Sequence, residues 1–340
     1  MPSKPLKSIH AAVLGDGAWG TALSLVLHAN GHRTTLWGAF RDNIERIRRD
    51  AENRQFLPGV PLPPEILPTD SMEEAAADAD LIVLASPSQY LRGTLEKLKP
   101  FFRRDRQIIT DISKGIETGT LLRMSELVEE VLGKTRYSVL SGPSHAEEVS
   151  RGIPTAVVTA SRSPDTARFV QSVFINDSFR VYTSRDVTGV ELGGALKNVF
   201  AIAAGMIDGI GLGDNTKAAL MTRGIAEMAR LGKALGGQRR TFSGLSGIGD
   251  LIVTCMSRHS RNRYVGEELG KGRKLEEIIR SMNMVVAEGV KTCEAAESLT
   301  RKLGVEAPII HATYQVVHDG RDPRAAANEL MTRKARSEHD

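Results

Sequence analysis

The sequence predicts an α/β protein in which a doubly wound, mostly parallel sheet is followed by an all-helical second half. Three observations carry this expectation. Short β-type runs alternate with helical patterns up to about residue 186; the first run passes directly into a glycine-rich turn and a helix; and beyond Asp186 alternating β-branched runs nearly vanish as Ala, Leu, Met and Glu take over. The 340 residues, 41% hydrophobic and 25% charged, are enough for two domains, expected at 1–186 and 187–340.

The strand candidates are residues 9–14, 34–37, 81–85, 107–111, 137–140, 156–159 and 179–182. A helix is expected from about Trp19 to Asn30, with Gly31 as its stop. In the second half, one helix should begin at the capping residues Asp214-Asn215-Thr216. It carries Leu220, Met221, Ile225, Met228, Leu231 and Leu235 at helical spacing and stops at Gly236-Gly237.

Bulk properties narrow the function classes. The formal net charge is +4, with basic and acidic residues interleaved, which argues against nucleic-acid binding and is compatible with a small anionic ligand. Cys255 and Cys293 have neither CxxC spacing nor His companions, so no disulfide framework or metal site is expected, and a reducing, cytoplasmic setting is. The apolar run 9–14 is too short for a membrane span, so no membrane insertion is expected.

The first run leads into Gly15-Asp16-Gly17-Ala18-Trp19-Gly20 and a helix, the order of a Rossmann-type dinucleotide site. Gly15 permits the tight turn, Gly17 lets the backbone approach a pyrophosphate, and Gly20 allows close helix–strand packing. The acid that usually holds the ribose hydroxyls after the second strand is missing from Leu36-Trp37-Gly38-Ala39-Phe40-Arg41. Arg41 could meet a 2′-phosphate instead, so the cofactor is NAD or NADP. Further on, Lys197 lies at i+4 from Gly193 and i+3 from Gly194, with Ala201 one turn beyond, so its helical face is nearly bare. The sequence supports two readings of that face, room for a ligand or a notch for helix packing.

Taken together, several stretches resemble the bacterial NAD(P)-dependent glycerol-3-phosphate dehydrogenases over nearly the whole length. They are residues 15–20, Asn53-Arg-Gln-Phe-Leu-Pro-Gly, Pro87-Ser-Gln, Ser113-Lys-Gly-Ile-Glu, Ser141-Gly-Pro-Ser-His-Ala-Glu-Glu, residues 189–200, Gly213-Asp-Asn-Thr-Lys, Gly244-Leu-Ser-Gly-Ile-Gly-Asp-Leu, Ser260-Arg-Asn and Glu288-Gly-Val. The resemblance implies interconversion of dihydroxyacetone phosphate and glycerol 3-phosphate for glycerophospholipid synthesis, often by a homodimer. It makes Lys197 the general acid/base, with Lys114 reaching both cofactor and substrate. Asp250 would bond the lysines or substrate hydroxyls, and it could cap a helix as well.

The resemblance also places the substrate phosphate on Ser260, Arg261 and Asn262, with Arg261 near the cofactor as well. Gly142, Ser144 and Ala146 would line the site, and Val286 and Glu288 would contact the cofactor. Asn198, Thr254 and Lys217 would support it, and His145 is expected to be structural. Ala18, Phe56 and Ser86 depart from the usual family pattern without removing any of this chemistry. The alternatives are another reductase of a small hydroxy acid with the same two-part architecture, or a non-catalytic NAD(P) sensor.

Overall fold

The computed structural model describes residues 7–282, 287–335 and 337–338. The first part of the chain runs β1 (His10–Leu14), α1 (Ala18–Ala29), β2 (Arg33–Trp37), α2 (Arg41–Asp50), β3 (Ile66–Thr69), α3 (Met72–Ala76), β4 (Leu81–Leu84), α4 (Leu91–Leu98), β5 (Ile108–Asp111), α5 (Met124–Leu132), β6 (Arg136–Ser141), α6 (Ala146–Val149), β7 (Thr155–Ala160), α7 (Pro164–Phe174) and β8 (Phe179–Ser184). Helices follow: α8 (Val187–Ile210), α9 (Asp214–Ala234), α10 (Asp250–Met256), α11 (Arg261–Gly270), α12 (Leu275–Ser281), α13 (Glu288–Leu303), α14 (Pro308–His318) and α15 (Pro323–Met331).

The strands form one sheet in the order β3-β2-β1-β4-β5-β6-β7-β8, parallel throughout except between β6 and β7. Its central strands are buried along their length, as the unbroken apolar runs of β1 and β4 require when helices cover both faces. Val13 of β1 lies level with Leu36 of β2 on one side and Val83 of β4 on the other. The chain order reverses about β1, so a crevice opens between the carboxyl ends of β1 and β4, where this topology binds ligands.

One strand escapes the sequence pattern. β3 has only four residues, Ile66-Leu-Pro-Thr69, and its Pro68 argues against a strand; the proline is tolerated because β3 is an edge strand. A second difference concerns α9, whose cap position is Gly213 at φ 80, without a side-chain cap. Asp214-Asn215-Thr216 therefore form its first turn, and the Thr216 hydroxyl donates back to Leu212 O.

α8 is the axis of the helical half. By length and composition it could cross a membrane, but it is buried inside the protein, packed by α9, α10, α11 and α13. Asp186 starts it: one carboxylate oxygen accepts from Gly189 N at 2.9 Å, and the other from Gln238 N at 2.8 Å and Thr241 Oγ1 at 2.6 Å. The contact with α11 is glycine on backbone. A Cβ on Gly205 would overlap Arg263 O, one on Gly209 would overlap Glu267 O, and one on Gly266 would overlap Ile202 O.

Such a contact has no room to relax. Gly266→Ala should cost about 1–3 kcal/mol or more, because backbone must shift. Gly93→Ala, exposed in the first turn of α4 with nothing near its added methyl, should stabilise by about 0.5–1 kcal/mol. Denaturation midpoints of the two variants should therefore move in opposite directions.

Candidate active site

The glycine loop is built by collision avoidance. Gly15, at φ 141, donates its N–H to Trp37 O at 2.9 Å, and a Cβ there would lie 2.5 Å from the Ala85 carbonyl carbon. A Cβ on Gly20 would overlap Gly15 O, whereas nothing approaches within 4 Å of the Cβ position of Gly17. Gly17 is the cap residue of α1, which has no side-chain cap and no acidic residue in its first turn. The uncapped N–H groups and the open side of Gly17 fit a dinucleotide pyrophosphate.

The loop is held from behind by residues to which sequence reasoning gave no role. Asn53 Nδ2 donates to Asp16 O at 2.7 Å and to Thr21 Oγ1 at 2.8 Å; Asn43 Nδ2 donates to Asp16 Oδ2 at 2.7 Å. Burial pushes the Asp16 carboxyl up, with the Asn43 hydrogen bond opposing the shift. The signal available was an acid inside a glycine turn, which has to find donors if it is buried.

Other predicted cofactor residues divide by what their side chains do. Ala18 opens α1, and Ala146 is buried where α6 packs on α1. Trp19 turns its ring towards Phe179, with centroids 6.4 Å apart, which leaves mainly its backbone for a dinucleotide. Arg41 is exposed just beyond β2, and its Nε donates to Glu45 Oε1 at 2.8 Å. Glu288 Oε1 accepts from Ser88 N at 2.8 Å, so this carboxylate joins α13 to the 87–89 turn. Val286 lies outside the described residues.

Where the sheet's carboxyl edge meets the helical half, two lysines share one carboxylate. Lys114 Nζ donates to Asp250 Oδ2 at 2.7 Å and to Gly142 O at 3.0 Å. Lys197 Nζ donates to Asp250 Oδ1 at 2.6 Å and to Thr254 Oγ1 at 2.7 Å. Asp250 and Lys197 are buried. Burial pulls the Lys197 ammonium down to about 8, with Lys114 adding to the fall and Asp250 opposing it. For Asp250, burial alone would raise the carboxyl, but Lys114 and Lys197 outweigh it and hold it below the usual range.

The bare face beside Lys197 resolves in favour of packing. The Cβ position of Gly193 lies 2.5 Å from Ser246 O, and that of Gly194 lies 2.6 Å from Ser141 Oγ. Protein fills both places, so the glycines admit neighbouring chain and make no space for a ligand.

The Ser260-Arg261-Asn262 group is also more differentiated than predicted. Ser260 Oγ accepts from Arg263 N at 3.2 Å and caps α11. Asn262 Nδ2 donates to Asn198 Oδ1 at 2.9 Å, and Asn262 Oδ1 accepts from Gly289 N at 2.9 Å. Asn198 Nδ2 in turn donates to Lys114 O at 2.9 Å, so this ladder spans the site from α13 to the Lys114 loop. Arg261 is exposed in the first turn of α11, and no hydrogen bond or ion pair holds its guanidinium among the described residues.

The remaining predicted residues surround this centre. Gly142, at φ 145, presents its carbonyl to Lys114 and to Ser144 Oγ, which donates at 2.9 Å. His145 has a buried Nε2 without a partner and a ring centroid 5.9 Å from that of His259. Burial, then the nearby Lys197 charge, lowers its pKa, so the ring is neutral at pH 7. Lys217 pairs with Asp208, which also binds Arg263 and anchors α11 to α8.

A glycine loop at the switch point of a parallel sheet, facing a buried lysine–aspartate–lysine cluster, defines the class: a dinucleotide-dependent oxidoreductase. Residues 10–167 match the N-terminal model, and residues 186–328 the C-terminal model, of NAD-dependent glycerol-3-phosphate dehydrogenase. The chain belongs to this family. It is 52% identical over 333 residues to the glycerol-3-phosphate dehydrogenase [NAD(P)+] of Carboxydothermus hydrogenoformans, covering 97% of this chain and 98% of that one. It is 51% identical over 329 residues to the enzyme so named from Geobacter sulfurreducens, covering 96% and 98%. The crystal structure of glycerol-3-phosphate dehydrogenase from Coxiella burnetii superimposes with a TM-score of 0.92 at 34% identity, covering 96% of this chain and 99% of that one.

The shared carboxylate makes a signed prediction. Asp250 favours the charged form of Lys197, so Asp250→Asn should move the lysine's titration below about 8. A pH profile of the variant's residual ketone reduction should show its alkaline limb displaced to lower pH.

Proposed function

We propose that this protein catalyses reversible hydride transfer between NAD(P)H and dihydroxyacetone phosphate, giving sn-glycerol 3-phosphate for glycerophospholipid synthesis in the cytoplasm. The observation that carries the chemistry is Lys197, a buried ammonium brought down to about 8 and aimed by Asp250 and Thr254. Residues 1–186 would hold the dinucleotide, and 187–340 would supply most of the reacting groups.

A nicotinamide dinucleotide held at the glycine loop would supply the hydride chemistry at the carbonyl carbon and, in reverse, at the alcohol carbon. Lys197 Nζ gives a proton to the carbonyl oxygen during reduction and takes it back during oxidation. Asp250 orients both lysines, and the two cations around one anion leave a net positive site that favours the developing alkoxide and an anionic substrate. Lys114, held by Gly142 O and Asp250, places the second charge beside the reacting oxygen. Arg261 takes the phosphate through its unengaged guanidinium, helped by the remaining proton of Ser260 Oγ and the remaining N–H of Asn262. Gly15 forms the turn, the backbone N–H groups of Gly17, Ala18, Trp19 and Gly20 would hold the pyrophosphate, and Arg41 is the residue that a 2′-phosphate would meet.

Lys197→Ala should lower kcat by roughly 10²–10⁴-fold while leaving cofactor affinity largely unchanged. Arg261→Ala should reduce kcat/KM for the phosphorylated ketone by about 10–100-fold, the loss of a charge-assisted hydrogen bond. Near-normal turnover by Lys197→Ala would contradict the assignment. With pH, reduction should slow as Lys197 loses its proton through about 8, and oxidation should quicken over the same range.

A further inference from the structure

Behind the Lys114 loop lies a second buried polar cluster, to which the reaction above gives no part. Glu191, on α8 six residues before Lys197, reaches out of the helical half to the sheet. Its Oε1 accepts from Ser125 N at 2.7 Å and from Tyr137 Oη at 2.9 Å; its Oε2 accepts from Arg123 at 2.6 Å and from Ser125 Oγ at 2.9 Å. On the far side of Tyr137, 3.3 Å from its hydroxyl, is Oδ2 of Asp111, the fully buried last residue of β5. Asp111 Oδ1 accepts from Ser113 N at 3.1 Å.

Counting protons decides the form of this cluster. Tyr137 has one hydroxyl proton and two carboxylates beside it. Glu191, with four donors including Arg123, is suited to carry the negative charge, and it makes the shorter contact with the phenol. Among the described residues no cation faces Asp111: the charged neighbour from α8 is the Glu191 anion, Arg123 lies beyond Glu191's other oxygen and also pairs with Glu126, and Lys114 points away to Asp250. An ionised Asp111 would therefore turn a bare oxygen towards the phenol's lone pairs. One further proton, on Asp111 Oδ2, satisfies every contact: Asp111 donates to Tyr137, and Tyr137 donates to Glu191.

We propose that Asp111 works as a neutral carboxylic acid, and that this acid is a positioning residue for the Ser113-Lys114 turn. It accepts from the first amide of the turn and, through Tyr137 and Glu191, ties the loop of Lys114 to the helix of Lys197. Ser113 Oγ completes the anchorage by donating to Ser86 O at 2.8 Å, beside the crevice. Burial pushes the Asp111 carboxyl up to about 8, with the Glu191 charge adding to the rise and the Ser113 and Tyr137 hydrogen bonds opposing it. The positioning claim rests on the proposed role of Lys114; the claim of neutrality does not.

The test is Asp111→Asn, which keeps an acceptor for Ser113 N and a donor for Tyr137 without a titrating group. An unfolded Asp loses its proton near pH 4, whereas the folded one keeps it to about pH 8. The folded state thus binds more protons across that window, and the wild type loses stability as pH rises through it. Asp111→Asn lacks that loss. Its melting temperature relative to the wild type should climb from about pH 4 to about pH 8 and then level off. Its kcat/KM should remain within about threefold of the wild type, whereas Asp111→Ala, which drops both hydrogen bonds, should lose about tenfold. A melting gap independent of pH, or one that narrows as pH rises, would overturn neutrality whatever the substrate proves to be. Asp111→Asn as impaired as Asp111→Ala would overturn the positioning role.

Discussion

Everything at the candidate site depends on one carboxylate with an ammonium on each oxygen. Lys114 comes from the loop after β5 and Lys197 from α8, so Asp250 joins the sheet to the helical half through charge as well as through packing. Burying charged groups costs several kcal/mol each, and the arrangement survives because Gly142 O and Thr254 Oγ1 take further lysine protons. The cluster still holds one more positive charge than negative. An anionic substrate completes it, which is why an arrangement this costly belongs in a place where a ligand arrives.

The geometry of that cluster is set at a distance. α8 carries both Lys197 and Glu191, and its position is fixed on one side by glycine contacts with α11 and on the other by the Arg123, Ser125 and Tyr137 bonds to Glu191. The same α8–α11 contact brings the 260–262 turn against Asn198, next in sequence to Lys197. The proposed phosphate anchor and the proposed proton donor are thereby kept in register by two helices that touch through backbone.

What the sequence showed clearly was local. The strand, glycine loop and helix at the N-terminus are decided by residues adjacent in the chain, as is the long α9 with its apolar stripe. β3 was not legible, because four residues containing a proline carry no period-two signal and depend on β2 for their pairing. The glycines beside Lys197 were ambiguous for a similar reason: Ser246 and Ser141, which fill that face, lie about fifty residues away in either direction. Ser260 and Asn262 were marked as a group with Arg261, yet their side chains brace α11 and the Asn198 ladder. The Asn43, Asn53 and Asp16 brace and the Asp111 cluster are wholly tertiary. Each of these residues is an ordinary polar residue until the fold removes water from it.

The most direct test of the account follows absorbance at the nicotinamide band, with NADH and NADPH in separate reactions, as dihydroxyacetone phosphate or unphosphorylated dihydroxyacetone is added. Loss of absorbance is expected with the phosphorylated ketone and little or none with its analogue, because the net positive centre, with Arg261 as the proposed phosphate anchor, favours an anion. No loss with either cofactor, or equal rates with both ketones, would contradict it.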